Sequence, residues 1–200
     1  MNGGTEASPG VVDSIEPPVE SVTPPNTTPA RIGLPRVLLF WTIALGGAAF
    51  DLGMKSYVFA TIGEPPARPY TLIKDILELQ TSYNPGALWG LGRDVPHSSL
   101  IFASLSIVAA LSICWWLFVR GAARDLRLAV ALALIMAGAL GNCYDRVALG
   151  HVRDFVHFHV DAVGFDCAIF NFADNMLVLG AGALIVLALK PDTPAPAAAH

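Results

Sequence analysis

Two carboxylates in the second half of the chain carry the strongest chemical signal. Asp154 stands in His151-Val152-Arg153-Asp154-Phe155, just after Gly150 breaks an apolar helix, and Asp174 stands in Phe170-Asn171-Phe172-Ala173-Asp174-Asn175, which opens another. Two carboxyl groups brought together at the mouth of a lipid-facing cleft cannot both ionise easily, so one holds a proton while the other can draw a proton from water. The ionised partner then serves as general base for an attacking water. The protonated one polarises the scissile carbonyl, and the two exchange roles as the amine leaves. Such a pair titrates as a unit and performs aspartyl-protease chemistry. Taken singly, Asp154 reads equally well as a solvated loop acid. Asp174 reads equally well as a carboxylate capping its own helix N-terminus, with Asn171 as the N-cap facing it one turn away.

Other polar residues sit at spacings that would place them beside these acids. Asp51 and Lys55 lie at i and i+4 with the acid first, the favourable order for a helical ion pair, and this pair reads as architectural. In Gly141-Asn142-Cys143-Tyr144-Asp145-Arg146 the same spacing puts Asn142 and Arg146 on one face, and Asp145 is expected to neutralise the neighbouring guanidinium. Arg146 has the planar fork of donors that clamps a carboxylate or carbonyl. Tyr83-Asn84-Pro85-Gly86-Ala87-Leu88-Trp89-Gly90 is turn-forming. It serves either as a turn before an interfacial Trp or as a cradle whose Asn and backbone hold an extended peptide beside the acids.

The elements that must position these groups are membrane helices. Of 200 residues 54% are hydrophobic and only 14% charged, too few charges for a water-soluble domain, in which about a quarter are charged. Four apolar runs, residues 37–62, 99–119, 126–149 and 169–189, approach the roughly 20 residues that cross a hydrocarbon core. Two long connections, 63–98 and 150–168, then share one side, while the short 120–125 turn and both termini share the other. Arg31, Arg36, Arg120, Arg124, Arg127 and Lys190 flank the second side and mark it as cytoplasmic. At 1.5 Å per residue, Asp51 lies roughly 21 Å across the first span, Lys55 roughly 27 Å, Asn142 roughly 24 Å and Asp145 and Arg146 roughly 29–30 Å, while Asp174 lies roughly 7 Å below the opposite boundary. Three helices thus place polar groups at one level, the outer rim of the bilayer. Polar residues there often only anchor a helix, but ionisable groups inside spans usually pair or work.

The rest of the composition is negative information. Twelve bases against sixteen acids give a net charge of −4, and no basic stripe suits a nucleic acid. Cys114, Cys143 and Cys167 form no C-x-x-C pair and read as apolar fillers. Residues 1–35, Pro-rich and without a basic n-region before an apolar core, and residues 191–200, rich in Pro and Ala, are expected to be disordered tails around a peptidase domain at 36–190.

Over about 36–190 the chain resembles the lipoprotein signal peptidase family, signal peptidase II. The likeness rests on Asp51-x-x-x-Lys55, Asn84-x-Gly86, Gly141-Asn142-x-x-Asp145-Arg146, Gly150-x-Val152-x-Asp154-Phe155 and Phe170-Asn171-x-Ala173-Asp174, in that order. It implies an all-α integral membrane fold of four transmembrane helices with a small β-rich extracytoplasmic platform at 63–92. It implies an aspartic endopeptidase of the bacterial inner membrane, with both termini cytoplasmic, that removes signal peptides from diacylglyceryl-modified prolipoproteins just before the lipidated cysteine. By the same resemblance Asp154 and Asp174 are the catalytic pair, and Asn84, Gly86, Asn142, Arg146 and Asn171 line the substrate pocket. Asp51, Lys55 and Asp145 are structural; no metal or other cofactor is used, and the partners are the prolipoprotein and membrane lipid, met by a monomer. Three positions depart from the family pattern. Leu88-Trp89 replace a small residue and Phe, and Asn175 stands where Ser is common. Two rival readings remain: His151, His157, His159 and Asp161 as zinc ligands, although no H-E-x-x-H occurs, and a non-catalytic pseudoenzyme that binds lipidated peptides.

Overall fold

The computed structural model describes residues 32–86, 91–92 and 94–189, with Met1 and Gly3. The expectations for Leu88-Trp89 and for most of the two tails lie outside the described residues. Helix α1 spans Leu34–Ile62, with Pro35 in its first turn, where the missing N–H would have had no helical partner. It stops at Gly63, whose φ of 104° favours glycine. Helix α2, Ser98–Cys114, runs on through a π-helical turn to Val119. Helix α3, Leu126–Leu149, is capped by Asp125, which accepts from the amides of Arg127 (2.8 Å) and Leu128 (3.3 Å), and ends at Gly150 with φ 79°. Helix α4 covers Phe172–Ala188.

Three of these helices, α1, α2 with its π turn, and α3, are long and apolar enough to cross a membrane. The fourth differs from the expected 169–189 because Phe170, just before it, is bridged to the backbone of Val156. Phe170 exchanges backbone hydrogen bonds with Val156 (2.8 and 3.0 Å), so the helix begins only after the Asn171 cap and has 17 residues, a length of about 26 Å. Helix α3 is central, packed against α1, α2 and α4. The outer helices turn large apolar side chains outward, among them Leu105, Val108 and Leu111 on α2 and Val178, Leu179 and Ile185 on α4. Helices that keep every backbone bond internal and expose aliphatic surface suit lipid as solvent.

The platform is larger than residues 63–92. Strands β1 (Tyr70–Ile73) and β2 (Leu77–Asn84) come from that connection, but β3 (Val152–Val160) and β4 (Phe165–Asp166) come from the second one, completing an antiparallel sheet in the order β1-β2-β3-β4. The segment Val-Arg-Asp-Phe-Val-His-Phe-His-Val is rich in β-branched and aromatic residues, a strand signal legible in the sequence. Phe155, fully buried, joins the sheet to α1 by packing with Val58 and Phe59. A second cluster, built on Phe40, Ala44, Leu117, Leu132 and Met136, closes the other end of the bundle.

Small residues set the α3–α4 spacing. A Cβ on Gly138 would fall inside contact distance of the Ala173 carbonyl oxygen, and one on Gly180 would lie 2.7 Å from the Ala131 carbonyl oxygen. Gly138→Ala should therefore cost about 1–3 kcal/mol, because a backbone carbonyl cannot step aside as a flexible side chain can. Gly182→Ala, with no atom within 4 Å of the added carbon, should leave stability unchanged or slightly raised. Thermal unfolding in detergent measures both.

Candidate active site

The site is built on a lysine with no exposed surface. Lys55 Nζ lies 2.7 Å from Asp51 Oδ2 and 3.2 Å from Asp145 Oδ2, and donates to Asn142 Oδ1 at 2.9 Å, so the buried ammonium is paired with two carboxylates and one amide oxygen. Asp51 Oδ1 accepts from the Ala173 amide at 2.8 Å, tying α1 to the first turn of α4. Gly141 leaves room for this carboxylate, since a Cβ there would lie 2.6 Å from Asp51 Oδ2.

Asp145 does not neutralise Arg146. It takes Arg153 instead, accepting from its Nη2 (2.8 Å), Nε (3.2 Å) and backbone amide (3.0 Å). Neighbouring residues on a helix project in different directions, so the adjacent guanidinium faces elsewhere. Arg146 donates to the Gly86 carbonyl at 2.9 Å, with its guanidinium 5.4 Å from the Phe102 ring centre. It therefore clamps a carbonyl of the Asn84–Gly86 turn. Ser98 and Ser99, at the start of α2, hold the same turn by donating to the Pro85 carbonyl at 2.8 and 3.2 Å, and Ser99 also reaches the Gly150 carbonyl. Sequence reasoning missed these two hydroxyls. A serine pair at a helix start is common, and only the fold reveals its target.

Three asparagines converge on the two acids. Asn171 Nδ2 donates to Asp154 Oδ1 at 2.6 Å, and Asn84 Nδ2 donates to Asp154 Oδ2 at 3.0 Å. Asn142 Nδ2 donates to Asp174 Oδ1 at 2.8 Å, while its own Oδ1 also accepts from Asn171 Nδ2 at 3.2 Å. Asn171 and Asp174 form a reciprocal capping box: the Asp174 amide donates to Asn171 Oδ1 (3.0 Å) and the Asn171 amide to Asp174 Oδ2 (3.2 Å). Asp154 is 2% exposed, not a solvated loop acid. Burial first, and then the neighbouring Asp174 charge, push its pKa up to about 7 against the opposing bonds from Asn84 and Asn171.

Asp154 and Asp174 both line a cavity of about 340 Å³. Asn84, Asn142 and Arg146 share its polar wall, Asn175 lies beside Asp174, and Val152, Phe158, Ile169, Phe170 and Val178 supply an apolar wall. Gly86 and Asn171 are not on the wall: Asn171 is fully buried behind the acids, and Gly86 acts through its carbonyl. Of the four residues of the zinc reading only His151 stands apart, since His157 and His159 stack on each other and Asp161 meets His159 Nδ1. The His151 ring lies 3.9 Å from that of Tyr83, while His157 and His159 project further along β3.

The family model for signal peptidase (SPase) II matches residues 43–190. The lipoprotein signal peptidase of Rhodopirellula baltica is 33% identical over 186 residues, covering 86% of this chain and 82% of that protein. That of Staphylococcus aureus (strain MRSA252) is 34% identical over 154 residues, covering 76% and 87%. Two bacterial membrane enzymes solved by the in meso method superpose with TM-scores of 0.68 and 0.67 at 29% and 30% identity, covering 80% and 78% of this chain and 95% and 96% of theirs. Fold, apolar helices and relatives together define a bacterial membrane protease. The chain belongs to the lipoprotein signal peptidase family, signal peptidase II.

The ion cluster is the part of the site most exposed to a single change. Lys55→Met keeps the volume but leaves Asp51 and Asp145 buried without their shared cation, and should lower stability by about 3–5 kcal/mol. Thermal unfolding of the detergent-solubilised variant beside wild type measures this.

Proposed function

We infer that the chain is an aspartyl endopeptidase that removes signal peptides from bacterial prolipoproteins, cutting before a diacylglyceryl-modified cysteine. The observation that carries this reading is the joining of Asp154 and Asp174 through Asn171 at the polar end of a cavity whose other wall is apolar. Near neutral pH Asp154 holds the proton and polarises the scissile carbonyl. Asp174 takes a proton from the attacking water, and the roles reverse when the nitrogen leaves. Phe158, Ile169, Phe170 and Val178 offer apolar surface to the acyl chains, so binding energy from the lipid serves to position the peptide bond. Asn84, Asn142 and Arg146 serve the peptide and the acids, and Asp51, Lys55 and Asp145 hold the frame. All four helices cross the inner membrane, with both termini cytoplasmic and the cavity near the outer face. Residues 36–190 act as the peptidase domain between two tails.

Purified protein in detergent should cleave a diacylglyceryl-modified prolipoprotein peptide before the lipidated cysteine, with or without chelator. Asp154→Asn and Asp174→Asn should each reduce the rate by at least about a thousandfold while still binding the peptide, as loss of a member of a catalytic unit does. Wild-type protein that binds the peptide but never cuts it would mark a pseudoenzyme and overturn the reading.

The pH profile supplies a second check. Loss of the Asp154 proton removes the acid of the pair, so kcat/KM should fall as the pH rises through about 7. Asn84 donates to the ionised carboxylate and holds that value down. In Asn84→Ala the alkaline limb should therefore move to higher pH, whereas an Asn84 that served the substrate alone would leave the limb in place.

A further inference from the structure

We propose that Glu78, His157 and His159 form a transition-metal site, with zinc as its first occupant, that clamps the outer part of the platform sheet. Glu78 on β2 lies directly opposite His157 on β3, and His159 follows two residues on, so the three side chains share one face of the sheet. One ligand atom from each lies within 4.8 Å of the others. Tetrahedral donors on zinc stand about 3.3 Å apart, so closing the cluster needs a shift of roughly 1.5 Å, within reach of a glutamate and two imidazoles.

The hydrogen bonding around the two histidines points to a ligand. His157 Nε2 lies 2.7 Å from Asp166 Oδ1, and His159 Nδ1 lies 2.9 Å from Asp161 Oδ1. Each carboxylate fixes its imidazole in the tautomer that donates to it, leaving a lone pair on the other ring nitrogen. Those other atoms, His157 Nδ1 and His159 Nε2, are both buried and both without a hydrogen-bond partner. Metal-bound histidine has this carboxylate–imidazole arrangement, in which the acid orients the ring and makes the free nitrogen a better donor. Glu78 Oε1 accepts from Thr71 Oγ1 at 3.0 Å, a partner that orients the third ligand in the same way. Imidazole donors favour zinc or copper over calcium or magnesium, which take oxygen.

The cluster is separate from the acid pair. Strand alternation sends His157 and His159 to the face opposite Asp154 and Phe158, both of which line the cavity. Its ligands and their supporting acids come from β2, β3, the Asp161–Val163 turn and β4. The hairpin they fasten also carries Phe158 and Cys167, residues of the cavity wall joined by a 3.0 Å backbone hydrogen bond. A bound ion therefore stiffens that wall from behind and takes no part in the reaction.

The test uses untagged full-length protein in detergent, stripped with chelator and titrated with zinc alone against a chromophoric competitor. One equivalent should bind with a Kd in the micromolar range or tighter, and Tm should rise with zinc concentration. Glu78→Gln and His159→Ala should each weaken binding at least about tenfold, and Asp161→Asn and Asp166→Asn by about 10–100-fold, the usual effect of removing a supporting carboxylate. His97→Ala, at an exposed histidine before α2, should change nothing. Cobalt in place of zinc should show tetrahedral d–d bands without a thiolate charge-transfer band, which separates this site from one that uses Cys167. The proposal fails if wild type binds no stoichiometric zinc, if binding survives the His157→Ala/His159→Ala double substitution, or if the thiolate band appears.

Discussion

A lysine ammonium with no contact with solvent is the interaction on which the rest of the structure depends. Moving such a charge out of water is expensive unless opposite charges and hydrogen bonds replace the lost hydration. Here the replacement is complete, because Lys55 has two carboxylates and one amide oxygen, and Asp145 meets a second cation in Arg153. Two acids balance two bases. The four ionic groups and Asn142 come from α1, α3 and β3, and Asp51 also holds the first turn of α4 through the Ala173 amide. Any helix that slid by one turn would strand a buried charge, so the cluster fixes the axial register of three helices and a strand together.

That register also orients the asparagines. Each has its amide oxygen held by an outside donor: Asn142 by Lys55, Asn171 by the Asp174 amide, Asn84 by the Gly86 amide. With the oxygen committed, each NH₂ group must point the other way, and all three donate to Asp154 or Asp174. The acids thus sit among amide dipoles whose directions the surrounding donors already fix. The buried cation is the head of this chain of constraints, since it decides which end of Asn142 faces Asp174.

Local spacing made part of this legible in the sequence. Asp51 and Lys55 pair as their i, i+4 separation requires, Asn171 caps α4, and Gly150 ends α3 where a break was expected. The errors came where local spacing carries no information. Asp145 and Arg146 are adjacent in the chain, yet they reach different partners because successive side chains on a helix diverge by about 100°. The roles of Ser98, Ser99 and Gly86 depend on a turn brought against α2 and α3 from a distance. The start of α4 moved because Phe170 pairs with Val156, a contact across fourteen residues that no propensity encodes. The sheet likewise draws half its strands from the connection that carries Asp154.

Asp174 shows why two readings that compete in the sequence need not compete in the structure. A carboxylate at the third position of a helix is a good cap, and Asp174 is one: its Oδ2 accepts from the Asn171 amide. The cap uses only that oxygen. Oδ1 faces Asn142 and belongs to the same carboxylate that lines the cavity. Capping fixes the carboxyl plane and brings the Asn171 side chain, bound to Asp154, within one residue of the helix start. The local interaction that suggested a bland role for Asp174 is thus the interaction that aims its second oxygen at the site, and it joins the two acids through a residue that is itself the helix cap.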